Sequence, residues 1–131
     1  SAAMSFGWAR AEVVAALDKI RDHYHLDRLA LVAAEAALED QDYLRQRLAQ
    51  VCATRERFSA RLCAAGYTVI ASQANFVFVA APDGNGQRLY QQLYDARILV
   101  RYFSDALLCH GVRISIGTDA EMDTLLQVLG A

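Results

Sequence analysis

Lysine is almost absent from this chain: of its 13 basic residues, Lys19 is the only lysine and the other twelve are arginine. Proline occurs once, and the three cysteines Cys52, Cys63 and Cys109 form no C-x-x-C pair. An odd, irregularly spaced set of this kind argues against a disulfide framework and fits a reduced, cytoplasmic setting. His23, His25 and His110 do not join the cysteines in a ligand pattern, so no structural zinc site is expected. A net charge of −2 gives no general case for nucleic acid or an anionic membrane as partner. No apolar run approaches the roughly 18 residues of a membrane span, and no charged-then-apolar leader is legible. Low-complexity stretches and internal repeats are missing as well. The bland opening "SAAMS" is read as a remnant over residues 1–6.

What remains is a chain of 131 residues with 55% hydrophobic content, enough for one real core. Val13, Val14, Leu17 and Ile20 recur at helical spacing and predict a helix over about 9–22. Asp27 is placed to cap "RLALVAAEAALED", which is apolar nearly all round and needs cover on most sides. After "EDQD", Asp42 is expected to cap a third helix with the stripe Leu44, Leu48, Val51, Phe58 and Leu62. Arg45, Arg57 and Arg61 lie off that stripe, and Gly66 is positioned as its glycine stop.

The period then changes. "TVIA" (68–71) and "NFVFVA" (75–80) are rich in β-branched and aromatic residues and read as strands. "PDGNG" (82–86) is turn chemistry without the lysine and spacing of a phosphate loop. A helix over about 87–96 with Leu89, Tyr90 and Leu93 inward precedes the strands "ILVRYF" (98–103) and "VRISIG" (112–117). Thr118 and Glu121 form a T-x-x-E capping box for a final helix that turns Met122, Leu125, Leu126 and Leu129 to the core. The order α-α-α-β-β-α-β-β-α contains a split βαβ unit, with strand 112–117 fitting antiparallel between its neighbours. The expected fold class is α+β: a small, mainly antiparallel sheet backed by helices. We divide it into a helical connecting segment, 7–66, and an α+β domain, 67–131, within a single structural unit over 7–131.

One residue stands out. Val112, Ile114 and Ile116 form one face of a strand, which sends the permanently charged Arg113 to the other. A planar guanidinium fork suits bidentate binding of a carboxylate; the plainer role is an arginine paired with an acidic neighbour or reaching for the sheet edge. Arg101 is a second candidate, since a hairpin of the two strands would bring both guanidiniums to one face; the plainer role is a solvated charge on an edge strand.

Together, "LDKIRDHYHLDRLAL", "AALED", "SQANFVFV", "ILVRYF" and "VRISIGTDAEMDTLL" resemble the C-terminal part of a pyridoxal-phosphate aminotransferase, most closely the histidinol-phosphate aminotransferase family. Each stretch is a weak pattern alone; five in order over nearly the whole chain are fairly specific. "DHYHLD" departs from the family, which usually has Asn where His25 stands. The resemblance implies the small domain of a fold type I aminotransferase, with Arg113 at the position that binds the substrate carboxylate. It implies a phosphorylated amino substrate, hence a second anion site for which Arg101 is the candidate. Asn75 could touch the substrate or simply end its strand, and Tyr24 could lie near the cofactor or dimer interface or merely pack in the core.

The same resemblance implies pyridoxal 5'-phosphate as cofactor, 2-oxoglutarate as amino acceptor, a role in histidine biosynthesis and a homo-oligomer. It also implies a Schiff-base lysine, an acidic partner for the pyridine nitrogen and a phosphate cup in a large domain upstream. Lys19 lies past that lysine's point in the family and reads as an exposed helix residue. No bound cofactor, catalytic residue or metal is therefore expected in this chain, and no activity from it alone. Other readings stay open: a ferredoxin-like module binding a small ligand without catalysis, a phosphate-handling decarboxylase of the same cofactor class, or an aromatic aminotransferase.

Overall fold

A computed structural model describes residues 7–22 and 26–131. The described residues hold five helices and four strands in the expected order: α1 (Ala11–Asp18), α2 (Arg28–Glu39), α3 (Gln41–Ala64), β1 (Thr68–Ile70), β2 (Phe76–Ala80), α4 (Gly86–Asp95), β3 (Arg101–Tyr102), β4 (Gly111–Ser115) and α5 (Asp119–Leu129). They fall into two compact units, Ser1–Arg45 and Gln46–Ala131. The division lies inside α3, whose C-terminal part packs with the sheet. Phe58 and Leu62 are wholly buried there, whereas Leu44 and Leu48 are about half exposed.

In the first unit, α1 is shorter than its periodicity suggests. It ends at Asp18, leaving Lys19 as an exposed C-terminal cap residue rather than inside the helix. Asp27 caps α2 as expected, its carboxylate accepting the Ala30 N–H at 2.8 Å. The cap of α3 is Asp40, which accepts from the Tyr43 N–H, three positions on. Asp42 sits two residues later, inside the first turn, and instead pairs with Arg45. No residue of α2 is buried; Leu29, Leu31, Val32 and Leu38 all face outward.

In the second unit, the sheet order is β1-β2-β4-β3 and every pairing is antiparallel. Strand alternation sends Val77, Val79, Val112 and Ile114 to one face, where they meet Phe58 and Leu62 of α3, Leu89 and Leu93 of α4, and Met122, Leu125, Leu126 and Leu129 of α5. This is the core. Truncating a phenylalanine in such a position to alanine typically costs about 3–5 kcal/mol.

The ends of these elements follow local chemistry. Gly66, at φ +89°, closes α3: the Tyr67 N–H reaches the Leu62 carbonyl and the Gly66 N–H that of Cys63. Arg97 does the same for α4 at φ +61°, although it carries the side chain that glycine lacks. The Thr118–Glu121 capping box is present at α5, and burial plus the cap orient its core residues as the spacing requires. Pairing of β3 is confined to Arg101 and Tyr102, shorter than the apolar run "ILVRYF" suggests.

Candidate functional site: two arginines on the open face of the sheet

Opposite the core, the sheet presents a different set of side chains. Phe76 and Phe78 on β2, Arg113 on β4 and Arg101 on β3 share this face by register. Phe78 is the cross-strand partner of Arg113 on one side, and Arg101 is its partner on the other. Both arginines are exposed. Neither has a carboxylate partner among the described residues; each lies against a ring instead. The Arg113 guanidinium carbon is 5.0 Å from the Phe76 ring centre, and that of Arg101 is 5.4 Å from Phe103. Aromatic faces attract such cations and hold the flat guanidinium in place without consuming its hydrogen-bond donors.

Several other arginines of this unit are engaged instead. Arg57 is occupied twice, by Asp119 and by Asp123, and Arg88 pairs with Asp83. Arg55 and Arg61 donate to main-chain carbonyls, of Ala74 and Ala131. Two unneutralised like charges directly opposed across a ladder are unfavourable unless something anionic joins them.

Beside Arg113 the face hollows into an open cavity of about 500 Å³, walled by Phe76, Phe78, Phe103, Leu108 and His110. Phe78 and His110 meet edge to face, with ring centres 5.3 Å apart. A small anion gripped by guanidinium donors and flanked by an apolar hollow is what this arrangement can hold.

The arginine pair anticipated from sequence is thus brought together. Asn75 stands just before β2 and is held through its main chain, its carbonyl accepting the Ile116 N–H at 2.8 Å. Its side chain makes no hydrogen bond among the described residues. Tyr24 lies outside the described residues. The sequence reading missed the aromatic floor and His110. Alternation within "NFVFV" carried a signal for Phe76 and Phe78 sharing one face, but nothing local announced that Phe103 and His110 would join them.

Remote from this face, Thr54 is a buried polar residue whose hydroxyl donates to Asp119 at 2.8 Å. That hydrogen bond, and next the Arg57 guanidinium, hold the Asp119 carboxyl below its ordinary range. Glu121 is likewise lowered, first by the Thr118 N–H and then by the Thr118 hydroxyl. Among the described residues no cluster of three or more His, Cys, Asp or Glu could hold a metal ion, and no helix is long and apolar enough to cross a membrane.

Helices over one face of a four-stranded antiparallel sheet, with two arginines on the open face, define a small α+β unit. The chain belongs to the aminotransferase class I and II family, whose model matches residues 3–129. It is similar to the histidinol-phosphate aminotransferase of Geotalea daltonii, 58% identical over 92% of this chain and 35% of that protein. The enzyme of the same name from Geobacter sulfurreducens is 56% identical over 96% of the chain and 36% of the relative. Among solved structures, the histidinol-phosphate aminotransferase of Sinorhizobium meliloti in complex with pyridoxal-5'-phosphate superposes with a TM-score of 0.81. That match is at 34% identity over 90% of this chain and 33% of the other. The chain therefore spans about a third of the length of the curated relatives it matches. Membership over 3–129 accounts for the N-terminal helices, which a bare ferredoxin-like module leaves unexplained.

Proposed function

We propose that this chain forms the substrate-anion-binding part of a histidinol-phosphate aminotransferase that moves an amino group between a phosphorylated amino compound and 2-oxoglutarate in histidine biosynthesis. The observation that carries the reading is the Arg101–Arg113 pair, opposed in register and free of carboxylates among the described residues. Arg113 grips a carboxylate of the amino-acid partner with two parallel donors, and Arg101 takes the phosphate of the phosphorylated amino compound. Holding the substrate by its charged end fixes the reacting carbon, which is the positional contribution this chain makes to catalysis.

Pyridoxal phosphate, when bound in such an enzyme, supplies the electron sink for amino transfer. The residues described here do not form its holding site. The sole lysine, Lys19, is exposed at the end of α1 in the first compact unit, and the arginine face carries no lysine. In this reading the cofactor is held by the portion of the relatives' length that this chain does not span, and the 131 residues alone are inactive. A cytoplasmic homo-oligomer completes the proposal. A phosphate-handling decarboxylase or an aromatic aminotransferase would use the same carboxylate grip; the names of the similar proteins favour the aminotransferase of histidinol phosphate.

The test is Arg113→Lys in an enzyme that contains this chain. A point charge cannot reproduce the bidentate grip. The expected loss is about 2–4 kcal/mol of transition-state binding, roughly 30- to 1000-fold in kcat/KM, with cofactor binding retained. A destabilised protein with unchanged kcat/KM would return Arg113 to a structural role.

A further inference from the structure

Of the side chains walling the cavity beside Arg113, Phe76, Phe78, Phe103 and Leu108 are apolar, and only Arg113 and His110 can hydrogen-bond. The main chain of His110 is already tied down, its carbonyl accepting the Ala81 N–H at 3.1 Å. Its imidazole, by contrast, has no hydrogen-bond or ion-pair partner among the described residues, and it meets the Phe78 ring edge to face.

The position of that wall is set by the next residue. A Cβ on Gly111 would lie 2.8 and 2.9 Å from two ring carbons of Phe78 and would run into the Val79 carbonyl oxygen. Only glycine there lets the Phe78 ring lie against the strand, so Phe78, and His110 edge-on to it, are placed relative to Arg113 by backbone packing.

We infer that His110 is a specificity-determining residue of this site. The inference rests on the anion-binding reading of Arg113. A ligand with its carboxylate on Arg113 puts its body into the cavity, where every wall but one is indifferent to polar groups. His110 supplies the hydrogen bond that rewards a polar group, such as a hydroxyl, on that body. The favoured class is a carboxylic acid with an aromatic or branched body bearing a hydrogen-bonding group, over the same acid without it. A wall that offers a donor or acceptor discriminates more sharply than an apolar wall does.

The experiment titrates the 131-residue chain, by heteronuclear NMR, with 3-(4-hydroxyphenyl)propionate and with 3-phenylpropionate, which share shape and charge and differ by one hydroxyl. The native chain should bind the hydroxylated acid about 3- to 10-fold more tightly, the span of one net hydrogen bond. His110→Phe and His110→Leu both lack that bond; in whichever keeps a dispersed spectrum the ratio should fall to about one, and His110→Gln should recover part of it. Arg113→Gln should weaken both acids alike. A native ratio near one, or a ratio preserved in the apolar His110 variants, overturns the role of His110 while leaving the arginine reading standing. If Arg113→Gln leaves both affinities unchanged, the anion reading itself fails and the inference falls with it.

Discussion

Arg101 and Arg113 are direct partners across the β3–β4 ladder, and neither has a carboxylate partner among the described residues. Like charges in that position typically cost about 0.2–1 kcal/mol. An anion that binds the pair relieves the repulsion and stabilises the fold by mass action. Sulfate should therefore raise the Tm of the native chain, and more than chloride does at equal ionic strength. In Arg101→Gln and Arg113→Gln the sulfate-specific rise should shrink while the Tm without sulfate stays equal or climbs slightly. A Tm that drops in both variants and keeps its full sulfate response would show that the pair is structural.

Lys19 provides a second check. It is exposed at the C-terminal cap of α1, outside the unit that carries the arginines. Incubating the chain with pyridoxal phosphate, reducing with borohydride and mapping the mass should reveal no stoichiometric label on Lys19 and no visible aldimine band. Stoichiometric labelling together with turnover would contradict the proposal that the cofactor is held elsewhere.

Association follows from the first unit. With Leu29 at 82% exposure and Leu31, Val32 and Leu38 at least half exposed, α2 presents an apolar surface unusual for a monomer in water. The chain alone should form a dimer or larger oligomer that buries this helix. Light scattering over a range of concentrations decides it: a monodisperse monomer at the highest concentration refutes the expectation. Leu29→Glu with Val32→Glu should shift the population towards monomer.

Acid should loosen the junction of α3 and α5. The Asp119 carboxyl is held below its ordinary range by the Thr54 hydroxyl and then by Arg57. A lowered folded-state pKa means that its contribution is complete above the ordinary carboxylate value, about 4. It is lost as pH falls through the lower folded value. Urea unfolding at pH 7 and pH 3 should show a smaller acid loss in Asp119→Asn than in the native chain, and Thr54→Ala should lie between them. Equal acid losses in all three would exclude Asp119 as a contributor.

Much of the fold was legible in local sequence because the signals are local. The capping box at Thr118 and Glu121, the glycine stop at Gly66 and the alternation in "NFVFVA" each act over a few residues and survive into the structure. Boundaries were less legible. Asp40 and Asp42 are both acceptable caps, and only the turn geometry at the start of α3 selects the first. The run "ILVRYF" has strand composition throughout, yet the Arg97 turn that closes α4 leaves only Arg101 and Tyr102 in the ladder.

By itself the sequence determined the order of elements, the α+β class, the core face of α5 and the two arginines as the residues to watch, since each depends on periodicity or on a side chain's own chemistry. It could not determine that Arg101 would stand directly opposite Arg113, because register between strands eight residues apart is decided by how the 103–110 connection and the core face pack. Nor could it place Phe103 and His110 beside Phe78, or show that Phe58 packs into the core under the sheet and that Thr54 bonds to α5. Those relationships join residues distant in the chain, and they exist only once burial of Val77, Val112 and Ile114 has fixed which face of the sheet looks outward.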